Sequence, residues 1–283
     1  MNNIHSRNIF ISVKDHSVSG EVFELHHDSE YDMLATFPQP GHDALGRYYE
    51  SEDYISHTDA KRSLFEKAYH FVKELSLKKK QTLIDALQPE KGKLLDIGAG
   101  TGDFLQCMRN DGWQVSGAEP SEKASEIALK KGISLARETT SFQSGSFNVI
   151  TMWHVLEHVP DPKKQIAELD RLLVTGGTIV IAVPNFHSYD AKHYKEYWAA
   201  YDVPRHLWHY SATSIEKLFA EKGFKLKEIL PMKFDAFYVS LLSEKYKTGK
   251  MNYFNALITG LKSNWKARET GQSSSNIYIL SKP

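Results

Sequence analysis

The stretch Leu94–Phe104, LLDIGAGTGDF, joins a short apolar run to a segment of helical spacing through a bend with glycine at every second position: Gly98, Gly100 and Gly102. Few features restrict a fold so strongly. Glycine has no Cβ and reaches positive φ, so such a bend lets a ligand lie against backbone N–H groups where a helix begins. A pyrophosphate-binding bend reads G-x-G-x-x-G and would place its last glycine at position 103, which here is Asp103. With Asp96 at the end of the apolar run and Glu119 farther along, the local carboxylates repel a diphosphate and suit a ligand that carries positive charge. Glu119 follows a second strand candidate, WQVSGA, about 20 residues after Gly98. That is the distance at which an acid in a nucleotide-binding βαβ unit accepts hydrogen bonds from ribose hydroxyls.

Strand and helix candidates then alternate: KLLDI, a helix from Gly102, WQVSGA, a helix from Ser121, GISLA, FNVITM, a helix near Lys163, and GTIVIAVP. Ser121 and Asp161-Pro162 are sound helix starts. The pattern predicts an α/β fold with a doubly wound parallel sheet, completed by FKLKEIL and NIYILS. The glycine bend, Glu119 and the segment FNVITMWHVLEHVPDP (147–162) together resemble class I S-adenosylmethionine-dependent methyltransferases over roughly residues 65–283. The resemblance implies a Rossmann-like seven-stranded sheet whose last strand is antiparallel. It further implies S-adenosylmethionine as cofactor and direct in-line methyl transfer to a small-molecule acceptor. It places Gly98, Ala99, Gly100 and Gly102 at the methionine portion and ribose, Glu119 at the ribose hydroxyls, Pro120 at the adenine face and His154 at the methionine end, with Asp96 also among the cofactor-binding residues. Tyr54 and His57 would close over the cofactor, and Trp153 has two open roles, packing in the core or flanking the cofactor. After the third strand only Glu138 is available to read the adenine amino group.

Composition limits the partners. Lysine plus arginine and aspartate plus glutamate each number 35, so no basic field draws in a nucleic acid. The single cysteine, Cys107, excludes an intrachain disulfide and fits a reducing cytoplasm, and no apolar run is long enough to insert in a membrane. Residues 1–50 alternate in short apolar runs and predict a small β-rich N-terminal extension; 51–283 form the methyltransferase domain, with insertions at 185–211 and 232–270, the latter helical. The extension resembles the zinc-ribbon-like segment of some bacterial relatives, but without their cysteines it is a metal-free remnant, held by packing or by a homodimer partner. Lys78, Lys79 and Lys80 read as the solvated face of a helix that ends at Pro89.

Within the first insertion, rich in aromatics and histidines, DVPRHLWHYS (202–211) resembles a D-x-P-R-H-L element of a subset of bacterial small-molecule methyltransferases. Two roles are open to it. His206 acts as general base, oriented by Asp202, while Arg205 fixes an acidic group of the acceptor; or Arg205 and Asp202 pair to brace a lid. His154–His158 reads HVLEH, formally the H-x-x-E-H of a zinc peptidase, but Pro160 and Pro162 deny it a sustained helix, and no metal is expected. Tyr246 and Lys250 share a Y-x-x-x-K spacing without a redox-type glycine bend. The competing reading is a catalytically inactive scaffold of the same fold, separated from an enzyme by calorimetric titration with the cofactor.

Overall fold

The computed structural model describes residues 8–41, 44, 46–49 and 64–283. Tyr54 and His57 lie outside the described residues. A six-stranded sheet forms the body, in the order β5 (Gln114–Ala118), β4 (Lys93–Ile97), β6 (Phe147–Trp153), β7 (Leu173–Pro184), β10 (Ser275–Ser281), β9 (Lys225–Pro231). The first four are parallel, and β10 runs antiparallel to both neighbours, as expected of the last strand. The seventh place is nearly vacant, because GISLA contributes only one bridge, Ala136 to Ala118, at the edge of the sheet.

Continuous apolar runs make these strands two-faced. Leu95, Ile150, Ile179 and Ile181 join one core with helices α4 (Pro162–Leu172) and α6 (Ala212–Ala220). Leu94, Val149 and Val180 join the other with α1 (Leu64–Leu87), α2 (Asp103–Asn110) and α3 (Glu122–Lys130). The helix starts follow their caps: Ser121 Oγ accepts from the Ala124 N–H, and Asp161 accepts from Lys163 and Lys164 ahead of Pro162 at N1. The second insertion is helical, as α7 (Asp235–Thr248) and α8 (Tyr253–Thr270).

The N-terminal strands β1 (Ile9–Lys14), β2 (Val22–Asp28) and β3 (Met33–Phe37) form an antiparallel sheet whose fourth strand, β8 (Trp208–His209), comes from the first insertion. A separate core unites the two regions: Phe23, Leu25 and Leu34 pack with Tyr194, Trp198 and Tyr201. Each such side chain contributes about 1.5–3 kcal/mol when fully buried. The insertion's large aromatics are thus committed to packing; Tyr194 and Trp198 are each 1% exposed.

Candidate active site

At the carboxyl end of β4 the chain turns through Gly98 (φ 70°), Gly100 (φ 52°) and Gly102 (φ 74°), the last capping α2. A Cβ on Gly98 would stand 2.4 Å from Val155 Cγ2, so only glycine fits there; a Cβ on Gly100 would meet nothing within 4 Å, leaving an open floor. The bend's N–H groups are largely engaged. Gly98 and Ala99 donate to the Ala118 carbonyl, at 2.8 and 3.1 Å, and Gly102 to that of Ala99, at 3.0 Å. Gly100 donates to Glu119 Oε2 at 2.9 Å. The expectation of N–H groups offered to a ligand is therefore corrected. What the bend presents is bare backbone and nearby carboxylates, a lining that suits a cationic nucleoside and would leave a phosphate with few donors.

The anionic ring is also smaller than the sequence suggests. Asp103 is held by Lys131 Nζ (2.5 Å), Lys73 Nζ (2.7 Å) and Thr101 Oγ1 (3.0 Å). Burial would raise its carboxyl, but these donors bring it down to about 2, and its charge is spent on them. Two carboxyls remain. Glu119 bridges the N–H groups of Gly100 and Ser121, the latter at 3.0 Å, and keeps lone pairs for two further hydroxyl donors. Asp96, 3% exposed, accepts from Thr151 Oγ1 at 2.6 Å; burial pushes it up to about 7, with the Thr151 bond and Lys80 opposing. Pro120 stands exposed beside Glu119.

The end of β6 faces the same edge. Trp153 is half-buried: its ring meets Phe104 edge-on, centroids 5.7 Å apart, with the Lys80 ammonium 4.3 Å above it. His154, at φ 58°, brings Nε2 within 3.0 Å of Asp235 and Nδ1 within 3.3 Å of Glu157. Burial alone would lower this imidazole, yet the two carboxylates outweigh it and raise it to about 10. Lys80 and Asp235 also line a cleft of about 320 Å³ with Lys79, Leu83, Phe234 and Ile277. Neither was singled out as a site residue from the sequence. In the sequence Lys80 reads as part of a solvated face, and its inward turn depends on Trp153 and Asp235, which arrive from distant segments.

The D-x-P-R-H-L element resolves toward bracing. Arg205 is 4% exposed; its Nε donates to Asp202 (3.0 Å), one terminal nitrogen to the Tyr48 carbonyl (3.0 Å), and the other to Asp15 (3.0 Å), Asp202 (2.7 Å) and Ser17 Oγ. It is therefore engaged within the protein and not placed to fix an acceptor's acid group. Asp202 in turn does not orient His206, since its Oδ2 lies 3.9 Å from Nε2 while the Ala200 carbonyl accepts from Nδ1 at 2.9 Å. Burial and the neighbouring His158 lower His206 to about 4, so the ring is neutral at pH 7.

A mixed sheet carrying a glycine bend and a ribose-distance acid at its carboxyl edge is the architecture of class I S-adenosylmethionine-dependent methyltransferases. The sequence agrees: the family described as "Methyltransferase domain" matches residues 61–229, more than half of the chain, and the chain belongs to it. It is 35% identical over 113 residues to a ubiquinone biosynthesis O-methyltransferase of Thiobacillus denitrificans, covering 36% of this chain and 49% of that one. The chain thus spans about half the length of the curated relatives it matches. Two solved structures share the fold. One is a methyltransferase of Thermotoga maritima described as a possible histamine N-methyltransferase (TM-score 0.52, 19% identity, 76% of this chain and 97% of that one). The other is phosphoethanolamine N-methyltransferase 2 of Haemonchus contortus with S-adenosylhomocysteine (TM-score 0.55, 16% identity, 97% and 71%). Among the described residues no helix is long and apolar enough to cross a membrane.

Proposed function

We propose that this protein methylates a small-molecule acceptor by direct in-line displacement, with the cofactor held at Gly98–Gly102 and Glu119. The observation that carries the reading is the open floor at Gly100 with the Glu119 carboxylate across it. S-adenosylmethionine, when bound, supplies a methyl group already activated for attack. The chain's own work is to bind and orient. Glu119 accepts from the ribose hydroxyls, Pro120 covers the adenine, and Asp96 offers a carboxylate to a cationic centre. The cleft of Leu83, Phe234 and Ile277 beside the His154–Asp235 pair is sized for a small acceptor with an apolar body, and Lys79 and Lys80 favour one that also carries an anionic group. The kinship to enzymes named for ubiquinone biosynthesis supports an acceptor of this kind.

Calorimetric titration tests the cofactor site. Micromolar binding of S-adenosylmethionine and S-adenosylhomocysteine is expected, with NADH giving no heat. Glu119→Ala should weaken the cofactor by about 1.5–3 kcal/mol through loss of charged hydrogen bonds, and an unchanged affinity would remove Glu119 from the site. Asp96 adds a pH signature. Its carboxyl lies near 3.8 when unfolded and at about 7 in the fold, so the stability tied to the neutral acid is complete below pH 3.8 and is lost as pH rises through 7. A bound cation favours the ionised form. Cofactor affinity should therefore climb with pH up to about 7, by at most about tenfold per pH unit, and level off above it. Asp96→Asn should flatten both trends, and a wild-type affinity that falls as pH approaches 7 would contradict the assignment.

A further inference from the structure

We infer that α8 docks this protein on a membrane surface that carries anionic lipid headgroups. A helix of a globular protein ordinarily buries its large apolar residues and leaves small or charged ones outside. This one is inverted. Its buried positions are Ala256, Thr259, Gly260 and Ser263. Gly260 brings it close to α7, since a Cβ there would stand 2.5 Å from the Phe237 ring, and Ser263 Oγ donates to Asp190 at 2.6 Å. Tyr253, Phe254, Leu257, Leu261 and Trp265 face outward instead, at 51 to 71% exposure.

Tyr253, Leu257, Leu261 and Trp265 recur every fourth residue and Phe254 widens their line, so together they form one ridge about 18 Å long. Single apolar residues scattered over a surface are ordinary, but a contiguous ridge of this size marks a contact surface. Asn264 Nδ2 donates to the Lys233 carbonyl at 2.9 Å. That bond sets the Trp265 end of the ridge beside the segment that lines the cleft at Phe234 and Asp235.

Charge selects the occupant. The chain as a whole is neutral, yet residues 247–270 hold Lys247, Lys250, Lys262, Lys266 and Arg268 against one acid, Glu269. Lys262 and Lys266 each follow a member of the ridge, and the Lys266 ammonium lies 4.6 Å over the Trp265 ring. Apolar and aromatic side chains bordered by cations match the boundary between acyl chains and anionic headgroups, where lysine stems reach up to the phosphates. A second copy of the chain fits worse, because a twofold contact sets these cations against their own copies. No described helix is long and apolar enough to cross a membrane, so α8 lies along the surface. This inference is independent of the methyl-transfer reading.

The test sediments the full chain with vesicles of equal parts phosphatidylcholine and phosphatidylglycerol, and separately with vesicles of phosphatidylcholine only. The anionic vesicles should bind it and the neutral ones should not, with binding that weakens as salt screens the headgroups. Lys262→Gln and Lys266→Gln should each reduce the affinity about fivefold. The combined variant Phe254→Ala, Leu261→Ala, Trp265→Ala should reduce it at least about tenfold. All three side chains are exposed, so its melting temperature should match that of the wild type. Should it not fold, the wild-type chain still decides: anionic vesicles should shift its tryptophan emission to the blue, and Trp265→Phe should bind equally well while losing that shift. Failure to bind, equal binding to both kinds of vesicle, or full binding by the combined variant overturns the proposal. So does a dimer in analytical ultracentrifugation that the combined variant returns to monomer.

Discussion

Arg205→Ala is expected to cost about 3–5 kcal/mol of folding stability, the usual result of removing one partner from a buried charge pair. The guanidinium is 4% exposed and stands between Asp15, 1% exposed, and Asp202. Asp15 also gathers the N–H groups of Ser17, Val18 and Ser19, so the turn between β1 and β2 is organised around the same carboxylate. Burial would raise Asp15, but the Ser19 N–H and Arg205 hold it well below the usual carboxylate range. With alanine at 205, Asp15 loses its cation in a place water scarcely reaches, and Asp202, whose side chain is 29% exposed, loses the same partner. Against a typical total of about 5–15 kcal/mol, that loss is a large fraction, and urea denaturation would read it directly. Arg205→Lys should recover only part of it, because a single ammonium cannot reproduce the planar fork that serves Asp202, Asp15 and the Tyr48 carbonyl together. A loss under about 1 kcal/mol for the alanine variant would mean that the cation is not structural and is free for an acceptor.

Gly98→Ala should do comparable damage by a different route. The left-handed conformation costs an L-residue about 1–2 kcal/mol, and forcing a methyl group against Val155 Cγ2 at 2.4 Å adds about 1–3 kcal/mol of overpacking. The bend can relieve that contact only by moving away from β6. Such a displacement should lower cofactor affinity on the order of a hundredfold, by analogy with the effect of a 1 Å misplacement on a reacting geometry. The double variant Gly98→Ala with Val155→Ala separates the two contributions, since it restores space but not backbone freedom. Partial recovery of both melting temperature and affinity is expected. Full recovery would show that positive φ at residue 98 carries no cost, and no recovery would show that Val155 is not the obstacle.

What the sequence made legible was local. The strand, bend, helix and acid of residues 93–119 are set by short spacings, and the helix starts at Ser121 and Pro162 by adjacent residues. What it concealed was assembled across distance. Asp103 looks like free charge until Lys73 and Lys131 reach it from two helices. Lys80 looks like surface until Trp153 and Asp235 face it. Arg205 looks available for an acceptor until Asp15, far back along the chain, is folded beneath it. The stretch at 133–136 fits a strand by composition, yet at the sheet edge it keeps only the hydrogen bonds that Gly117 and Glu119 exchange with Ala136.

The two-residue strand Trp208–His209, paired to β3, has a practical outcome for anyone trimming this protein. Deleting the first forty residues would not simply remove an accessory. It would strip the planking beneath the 185–211 segment, exposing the apolar undersides of Tyr194, Trp198 and Tyr201, and a shortened chain should emerge sticky and misassembled rather than merely smaller. If the proposed methyl transfer holds, the acceptor is expected to enter from the side of the two C-terminal helices, where the cleft at Phe234 and Asp235 opens.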